Sequence, residues 1–381
     1  MVQRAYLEID LDQLRRNIGE ISRYLSSHTK IMCVIKTNAY GHGSVQVASA
    51  VESLDVVEGF AVATVSEAME LRNAGIYKRI LLLGFCFEEE LETLIANDIT
   101  VTCFQERIFL EASRIATLLG KECSVHVKVD TGMSRLGVLP DNEGLEMLHR
   151  VNQLPNINIE GMFTHFACAD QLDQKMTKKQ SEVFDSYVTC VQKQLNRSML
   201  LRHSSNSAGI LTNNGADLDF VRAGIILYGI HPSKEVSLPN RIKPILSFKS
   251  TIILLKRIPA NTAVSYGATY VTDKERLIAT IPVGYGDGYP RDLSNKGSVL
   301  VRGQKVSIVG RICMDYFMID VSSVEQVQEG DVVTLIGRDG EEEITIEDIS
   351  QNSSHFYYEI PCCLTNRVKR IYRRNDELLE V

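Results

Sequence analysis

The chain has 381 residues, 44% of them hydrophobic and 23% charged, and carries a net charge of −7. That length exceeds one ordinary core and suits two domains, the composition is globular rather than disordered, and the negative balance argues against a nucleic-acid partner. No apolar run approaches the roughly 20 residues needed to span a bilayer, and Arg4, Glu8 and Asp10 interrupt the start of the chain, which has no signal-peptide pattern. Nine scattered cysteines without a CxxC pair fit reduced thiols in a cytoplasmic compartment. No metal site is predicted, because no zinc-type spacing occurs. The expectation is a cytoplasmic protein, or the cytoplasmic soluble domain of a longer membrane protein.

Taken in order, Ala5–Asp10 reads as a short strand, followed by Leu14, Ile18, Ile21 and Leu25 at helical spacing. Apolar strands and amphipathic helices then alternate. The strands are Ile31–Ile35, Phe60–Val65, Ile80–Leu83, Thr100–Phe104, Val125–Val129, Ile159–Phe163, Leu200–Leu201 and Phe220–Val221. Predicted helices include Val45–Leu54 and Glu88–Asn97, and another opens on a capping-box pattern at Thr64 and Glu67 and stops at Gly75. About eight strand–helix units over roughly 220 residues predict a (β/α)8 TIM-like barrel. The alternative is a doubly wound sheet, against which stands the missing GxGxxG after the first strand. From Pro244 the pattern changes to short alternating runs bounded by Gly, Asn and Asp, which predicts a C-terminal all-β domain. The expected domains are 11–240, the barrel, and 241–381, the β domain. Residues 1–10 are left open, with pairing to the β domain as one option.

In a barrel, reactive groups sit where strands end, and phosphate commonly binds in the loops after strands seven and eight. Lys36 stands where Ile31–Ile35 stops, in Val34-Ile35-Lys36-Thr37-Asn38-Ala39-Tyr40-Gly41-His42-Gly43. Burial there would lower its pKa and free a neutral amine able to form a Schiff base with an aldehyde; a lysine snorkelling to the surface is the bland alternative. Lys128, Asp130 and Arg135 cluster after the fifth barrel strand, His165 after the sixth, His203 after the seventh and Arg222 after the eighth. Asn206-Ser207 opens a short helical stretch, and Gly224-Ile225 is expected to present bare amides, a pairing that suits a phosphate.

The Lys36 stretch resembles the pyridoxal-phosphate lysine motif of the alanine racemase family, and the resemblance continues along nearly the whole chain. His203-Ser204-Ser205-Asn206-Ser207, Arg222 to Gly229, Val264 to Tyr270, Gly284 to Tyr289, Gly310 to Asp315 and Tyr358 to Cys362 match further family segments in order. By that resemblance Lys36 bears pyridoxal 5'-phosphate, Tyr40 and Tyr358 reach its phosphate with Asn206, Ser207, Gly224 and Ile225, and Arg222 meets its pyridine nitrogen. Tyr266 is the second catalytic base, His165 links it to Arg222, and Arg135, Met314, Asp315 and Tyr285 belong to the substrate side. Lys128 is a candidate for carbamylation that would brace Arg135, with a salt bridge to Asp130 as the alternative. The resemblance also implies a homodimer in which Tyr266, Met314 and Asp315 act in the partner's site.

Racemisation removes a proton from one face of Cα and returns one to the other, so two bases must flank the cofactor plane. Lys36 and Tyr266 can fill these roles if the tyrosine pKa is lowered by cationic neighbours such as Arg222 acting through His165. The resemblance thus implies L/D-alanine interconversion supplying D-alanine for peptidoglycan. Tyr316, where the family usually has glutamine, and Asn366, where some relatives have an aromatic residue, depart from the pattern. They leave open a serine or serine/alanine racemase of the vancomycin-resistance type. A non-catalytic pyridoxal-phosphate carrier is a third reading, opposed by the β domain and Tyr266.

Overall fold

The computed structural model describes residues 3–196, 200–375 and 377–380. Strand β1 (Ala5–Asp10) alternates buried and half-buried positions, the signature of a sheet with one covered face. The next eight strands are β2 (Lys30–Val34), β3 (Val57–Val62), β4 (Arg79–Leu82), β5 (Thr100–Cys103), β6 (Cys123–Lys128), β7 (Ile157–Phe163), β8 (Leu201–His203) and β9 (Phe220–Ala223). Several of them are buried almost end to end, as parallel strands covered on both faces must be. They pair in parallel in the order β8-β7-β6-β5-β4-β3-β2-β9. At the remaining seam the Arg222 amide donates to the Ser205 carbonyl at 3.0 Å. The result is a nearly closed (β/α)8 barrel. Between its strands run helices such as Ser44–Val51, Val65–Asn73, Glu106–Leu119 and Lys175–Leu195. The capping box at Thr64 and Glu67 is present, and Gly75 follows that helix at φ 83°.

The segment after β2 departs from expectation. Thr37, Asn38, Ala39 and Tyr40 all have φ between 51° and 54°, a left-handed turn built from non-glycine residues before Gly41 and Gly43 are reached. Such a residue costs roughly 1–2 kcal/mol, and normally occurs singly. Specific bonds hold the turn. Glu67 Oε1 accepts from the Thr37 amide at 2.6 Å, Asn38 Oδ1 accepts from the Ser44 amide at 2.8 Å, and the Ala39 amide donates to the Ile35 carbonyl at 2.8 Å. Glu67 Oε2 meanwhile accepts from the Ala63 and Thr64 amides, so one carboxylate caps a helix and fixes the lysine turn.

The second unit is built on β1 together with β10 (Leu246–Thr251), β11 (Leu254–Ile258), β12 (Ala263–Val264), β13 (Tyr270–Val271), β14 (Arg276–Ile281), β15 (Ser298–Val301), β16 (Gln304–Val309), β17 (Phe317–Asp320), β18 (Val332–Asp339), β19 (Glu342–Ile344), β20 (Lys369–Arg374) and β21 (Glu377–Glu380). The main sheet runs β11-β14-β17-β16-β15-β18-β10-β1-β20-β21, with β19 on β18 and a separate β12–β13 pair. β1 lies antiparallel to β10 and parallel to β20. Packing divides the chain into Leu14–Ala39 with Ser44–Lys243, and Met1–Gln13 with Tyr40–Gly43 and Pro244–Val381. Residues 40–43 therefore go with the β unit rather than the barrel. A Cβ on Gly41 would lie 2.0 Å from the Pro361 carbonyl oxygen, and Arg370 Nε donates to the Gly41 carbonyl at 2.9 Å.

Candidate active site

The barrel gathers its cations at the C-terminal ends of its strands. Lys36 follows β2, Lys128 closes β6, and Arg222 lies inside β9 rather than after it. Arg222 is 3% exposed. Its Nη1 donates to His203 Nδ1 at 2.8 Å and to the His203 carbonyl at 3.1 Å. Its Nη2 donates to the carbonyls of Thr164 at 2.7 Å and Ser204 at 2.9 Å, and lies 3.3 Å from His165 Nδ1. These bonds use the Nη protons and leave Nε–H as the remaining donor. All the acceptors are neutral. Burial, with Arg135 adding to it, pushes this guanidinium down to about 9, so it stays charged at neutral pH.

Burial also lowers the Lys128 ammonium to about 8, helped by Arg135 and Arg222 and opposed by Asp130. A salt bridge to Asp130 was the alternative to carbamylation, but Asp130 Oδ1 instead accepts from the amides of Gly132 and Ser134, each at 3.0 Å. Lys128 Nζ lies 5.7 Å from the centre of the Phe163 ring. Burial first, then Arg222, Arg135, Lys128 and Lys36, hold His165 neutral, well below the ordinary histidine value. Four cations thus act on one imidazole, a setting made for an anionic or electron-rich ligand. Arg135 itself is exposed.

The phosphate segments show a difference in detail. Asn206 caps helix Ser207–Leu211, its Oδ1 accepting from the Gly209 amide at 2.9 Å. The Gly224 amide is not bare, because it donates to Ser207 Oγ at 3.0 Å. That leaves the Ser207 hydroxyl proton as the donor this pair can offer. Ile225 begins a 3-10 turn ending at Tyr228, whose hydroxyl donates to the Val34 carbonyl at 2.9 Å and ties the turn to β2.

In the β unit, Tyr266 is 70% exposed, on a turn between β12 and β13. Ser265 precedes it at φ 66°, a backbone region that side chains rarely adopt. The Ser265 hydroxyl donates to the Arg311 carbonyl at 2.6 Å and fixes that conformation. The Tyr285 loop docks on the 313–316 turn, with the Tyr285 amide bonded to the Cys313 carbonyl and the Gly286 amide to the Met314 carbonyl. A Cβ on Gly284 would come within 2.2 Å of the Met314 carbonyl oxygen, so only glycine fits that approach. Tyr316 closes the turn with its main-chain carbonyl, which accepts from the Cys313 amide at 2.8 Å. Asp315 pairs with Arg367 at 2.6 Å, and Arg367 also faces the fully buried Asp287. Asn366 is exposed beside that arginine. Tyr40 and Tyr358 meet edge to face, their ring centres 6.5 Å apart, and burial first, then Cys362, raises the Tyr40 phenol.

Sequence reasoning gave Glu67 only as a helix cap and His203 without its buried partner His126, and passed over Arg367. His126, inside the apolar run of β6, was the available signal for the histidine pair.

A cationic rim on a (β/α)8 barrel, followed by an all-β domain, defines the class of barrel proteins whose strand ends suit an anionic ligand. The chain belongs to the alanine racemase family. The family models for the alanine racemase N-terminal and C-terminal domains match residues 9–232 and 245–372. An alanine racemase of Methanococcus maripaludis is 44% identical over 368 residues, covering 96% of this chain and 98% of that protein. Among solved structures, an alanine racemase of Clostridium difficile superposes with a TM-score of 0.94 at 38% identity, covering 100% of this chain and 98% of that one. An alanine racemase of Bartonella henselae, described with covalently bound pyridoxal phosphate, gives 0.85 at 28% identity, covering 97% of this chain and 100% of that one.

Proposed function

We propose that this chain interconverts L- and D-alanine with pyridoxal phosphate. The observation that carries the reading is Arg222. It is a buried guanidinium whose Nη groups are taken up by the barrel and whose Nε–H is left to meet a ring nitrogen. The surrounding cations and the Ser207 hydroxyl fit the phosphate, phenolic oxygen and carboxylate that cofactor and substrate would bring.

When bound, the cofactor supplies an electron sink next to the substrate Cα. Lys36 is the residue to hold it, and with substrate in place its Nζ exchanges the α-proton on one face. Tyr266 Oη exchanges it on the other. Arg222 does not give up its proton, so it leaves the pyridine nitrogen unprotonated and keeps the sink weak, which disfavours transamination. Arg135, braced by a carbamylated Lys128, orients the carboxylate and the phenolic oxygen. Tyr40, Tyr358, Asn206, Ser207 and Ile225 hold the phosphate, with Gly224 contributing through the Ser207 hydroxyl it donates to. Tyr266, Met314, Asp315 and Tyr285 complete the substrate side, across a homodimer in this reading, and the product feeds cell-wall peptidoglycan in the cytoplasm.

The test is chiral chromatography of products from L-alanine and L-serine in D2O with pyridoxal phosphate added. D-alanine forming much faster is expected. Faster D-serine would make Tyr316 and Asn366 the specificity change, and exchange from neither substrate overturns the reading.

A further inference from the structure

Arg222 is charged and buried with neutral groups around it, which is costly unless a counter-charge acts on it. A carboxylate stands behind it in the barrel interior, beyond two histidines. His203 Nε2 lies 2.8 Å from His126 Nδ1, and His126 Nε2 lies 3.7 Å from Glu160 Oε2. Glu160 is gripped by both Nη groups of Arg79, the Nη2 contact at 2.7 Å, and Arg79 Nε also faces Glu58 at 3.5 Å. The two rings are fully buried. Phe163 stacks on His203 at 4.7 Å and Phe220 on His126 at 6.3 Å. Gly161 faces His126 across the sheet, and a Cβ there would lie 2.8 Å from His126 Cε1, so the strand gives up a side chain to seat the ring.

The proton positions follow from the ends of the chain. A guanidinium only donates, so His203 Nδ1 must accept, which puts the proton of a neutral His203 on Nε2. That proton goes to His126 Nδ1, which puts the His126 proton on Nε2, on the Glu160 side. Burial keeps both rings neutral, with Arg222 reinforcing it at His203 and Glu160 opposing it at His126. Every dipole in the chain then points one way, from arginine to carboxylate.

We propose that Glu160, acting through His126 and His203, is a remote positioning residue for Arg222 that fixes its guanidinium and offsets its charge. The proposal rests on the reading of Arg222 as the partner of the cofactor's ring nitrogen, and extends the site to a carboxylate that touches neither cofactor nor substrate. Glu160 does more here than pair with Arg79.

Two measurements test it. In 15N-histidine-labelled holoenzyme, His126 and His203 are each expected as the neutral Nε2–H form from pH 6 to 8. An Nδ1–H tautomer or an imidazolium at either ring overturns the relay, whatever the cofactor reading becomes. Glu160→Gln keeps an acceptor for Arg79 but removes the charge, and His126→Asn keeps an acceptor for His203 but cuts the link to Glu160. Each is expected to lower kcat about 3–10-fold at unchanged KM, and to move the alkaline limb of kcat/KM down by about 0.5–1 pH unit, since the site becomes more positive. The double variant should be no worse than either single one. A pH profile identical to the parent enzyme, with only thermal stability reduced, would make Glu160 a structural partner of Arg79 and end the proposal. Loss of the cofactor reading shows separately, as unchanged cofactor binding in Lys36→Ala.

Discussion

Gly41→Ala separates the two reasons a glycine can be required, and Gly75→Ala is its control. Both residues have φ near +84°, at 84° and 83°. A Cβ on Gly75 meets nothing within 4 Å, whereas on Gly41 it would lie 2.0 Å from the Pro361 carbonyl oxygen and 2.7 Å from its carbon. The left-handed backbone alone costs about 1 kcal/mol for alanine. Restoring ordinary contact at Gly41 requires a movement of about 1.4 Å, and overpacking of this kind adds about 1–3 kcal/mol. The Arg370 bond to the Gly41 carbonyl would be disturbed too, adding about 1 kcal/mol. The expectation is a loss of about 3–5 kcal/mol for Gly41→Ala against about 1 for Gly75→Ala, read by equilibrium urea unfolding at fixed protein and cofactor concentration. Because Gly41 lies between Tyr40 and the helix that begins after Tyr358, pyridoxal phosphate should also bind more weakly in the first variant only. Losses within 1 kcal/mol of each other would refute the assignment of the cost to the Pro361 contact.

Lys36→Ala should abolish both the visible absorbance of bound pyridoxal phosphate and racemisation, read by spectrophotometry and a coupled assay; retained colour would reassign the lysine. Tyr266→Phe should keep the colour and lose α-proton exchange chiefly from one enantiomer, and equal residual exchange from both would rule out a two-base division. At Glu160 burial would raise the carboxyl, but the hydrogen bonds and charge of the Arg79 guanidinium that grips it outweigh burial and hold it at about 2. Its folded value is depressed, so its contribution is complete above about pH 4.5 and is lost as pH falls toward 2. The limit is about 3 kcal/mol before solvent screening. Glu160→Gln should flatten the acid limb of the stability curve in that window, and an unchanged limb would show that the ion pair contributes nothing. For Lys128, pushed down to about 8 by burial, a neutral amine is accessible at mildly alkaline pH. Intact mass in bicarbonate at pH 8 should show carbamate on Lys128, absent in Lys128→Ala, and a bare amine would return it to packing on Phe163.

The barrel was legible because its strands are nearly continuous apolar runs and its helices carry caps such as Thr64 with Glu67, both local signals. The strand-end positions of Lys36, Lys128, His165 and Arg222 were legible for a related reason, since strand ends in a barrel have a fixed side. Arg222 was placed one step late because β9 extends through Ala223. What stayed hidden depends on distance in the chain. The Glu160–His126–His203 line joins three strands, and a histidine inside an apolar run does not announce whom it faces. In the β unit the runs were visible, but helices Ile346–Asn352 and Glu359–Cys363 were not, being too short to show a period. The Gly224 amide was expected to be bare because nothing local indicates that Ser207, seventeen residues earlier, would accept from it.

The left-handed turn after β2 bears on transplantation. Ten residues carry the lysine motif, but the shape that presents Lys36 is imposed from outside them, by the Glu67 carboxylate and the Ser44 amide, while the carbonyl-lined gap at Gly41 seats its end. Cut out as a peptide, Thr37 to Tyr40 would relax into right-handed or extended basins. Copying the ten letters onto another barrel would carry over the lysine without its orientation. A designer would have to move the grip along with the motif, and a genome search that finds the letters alone has not found the site.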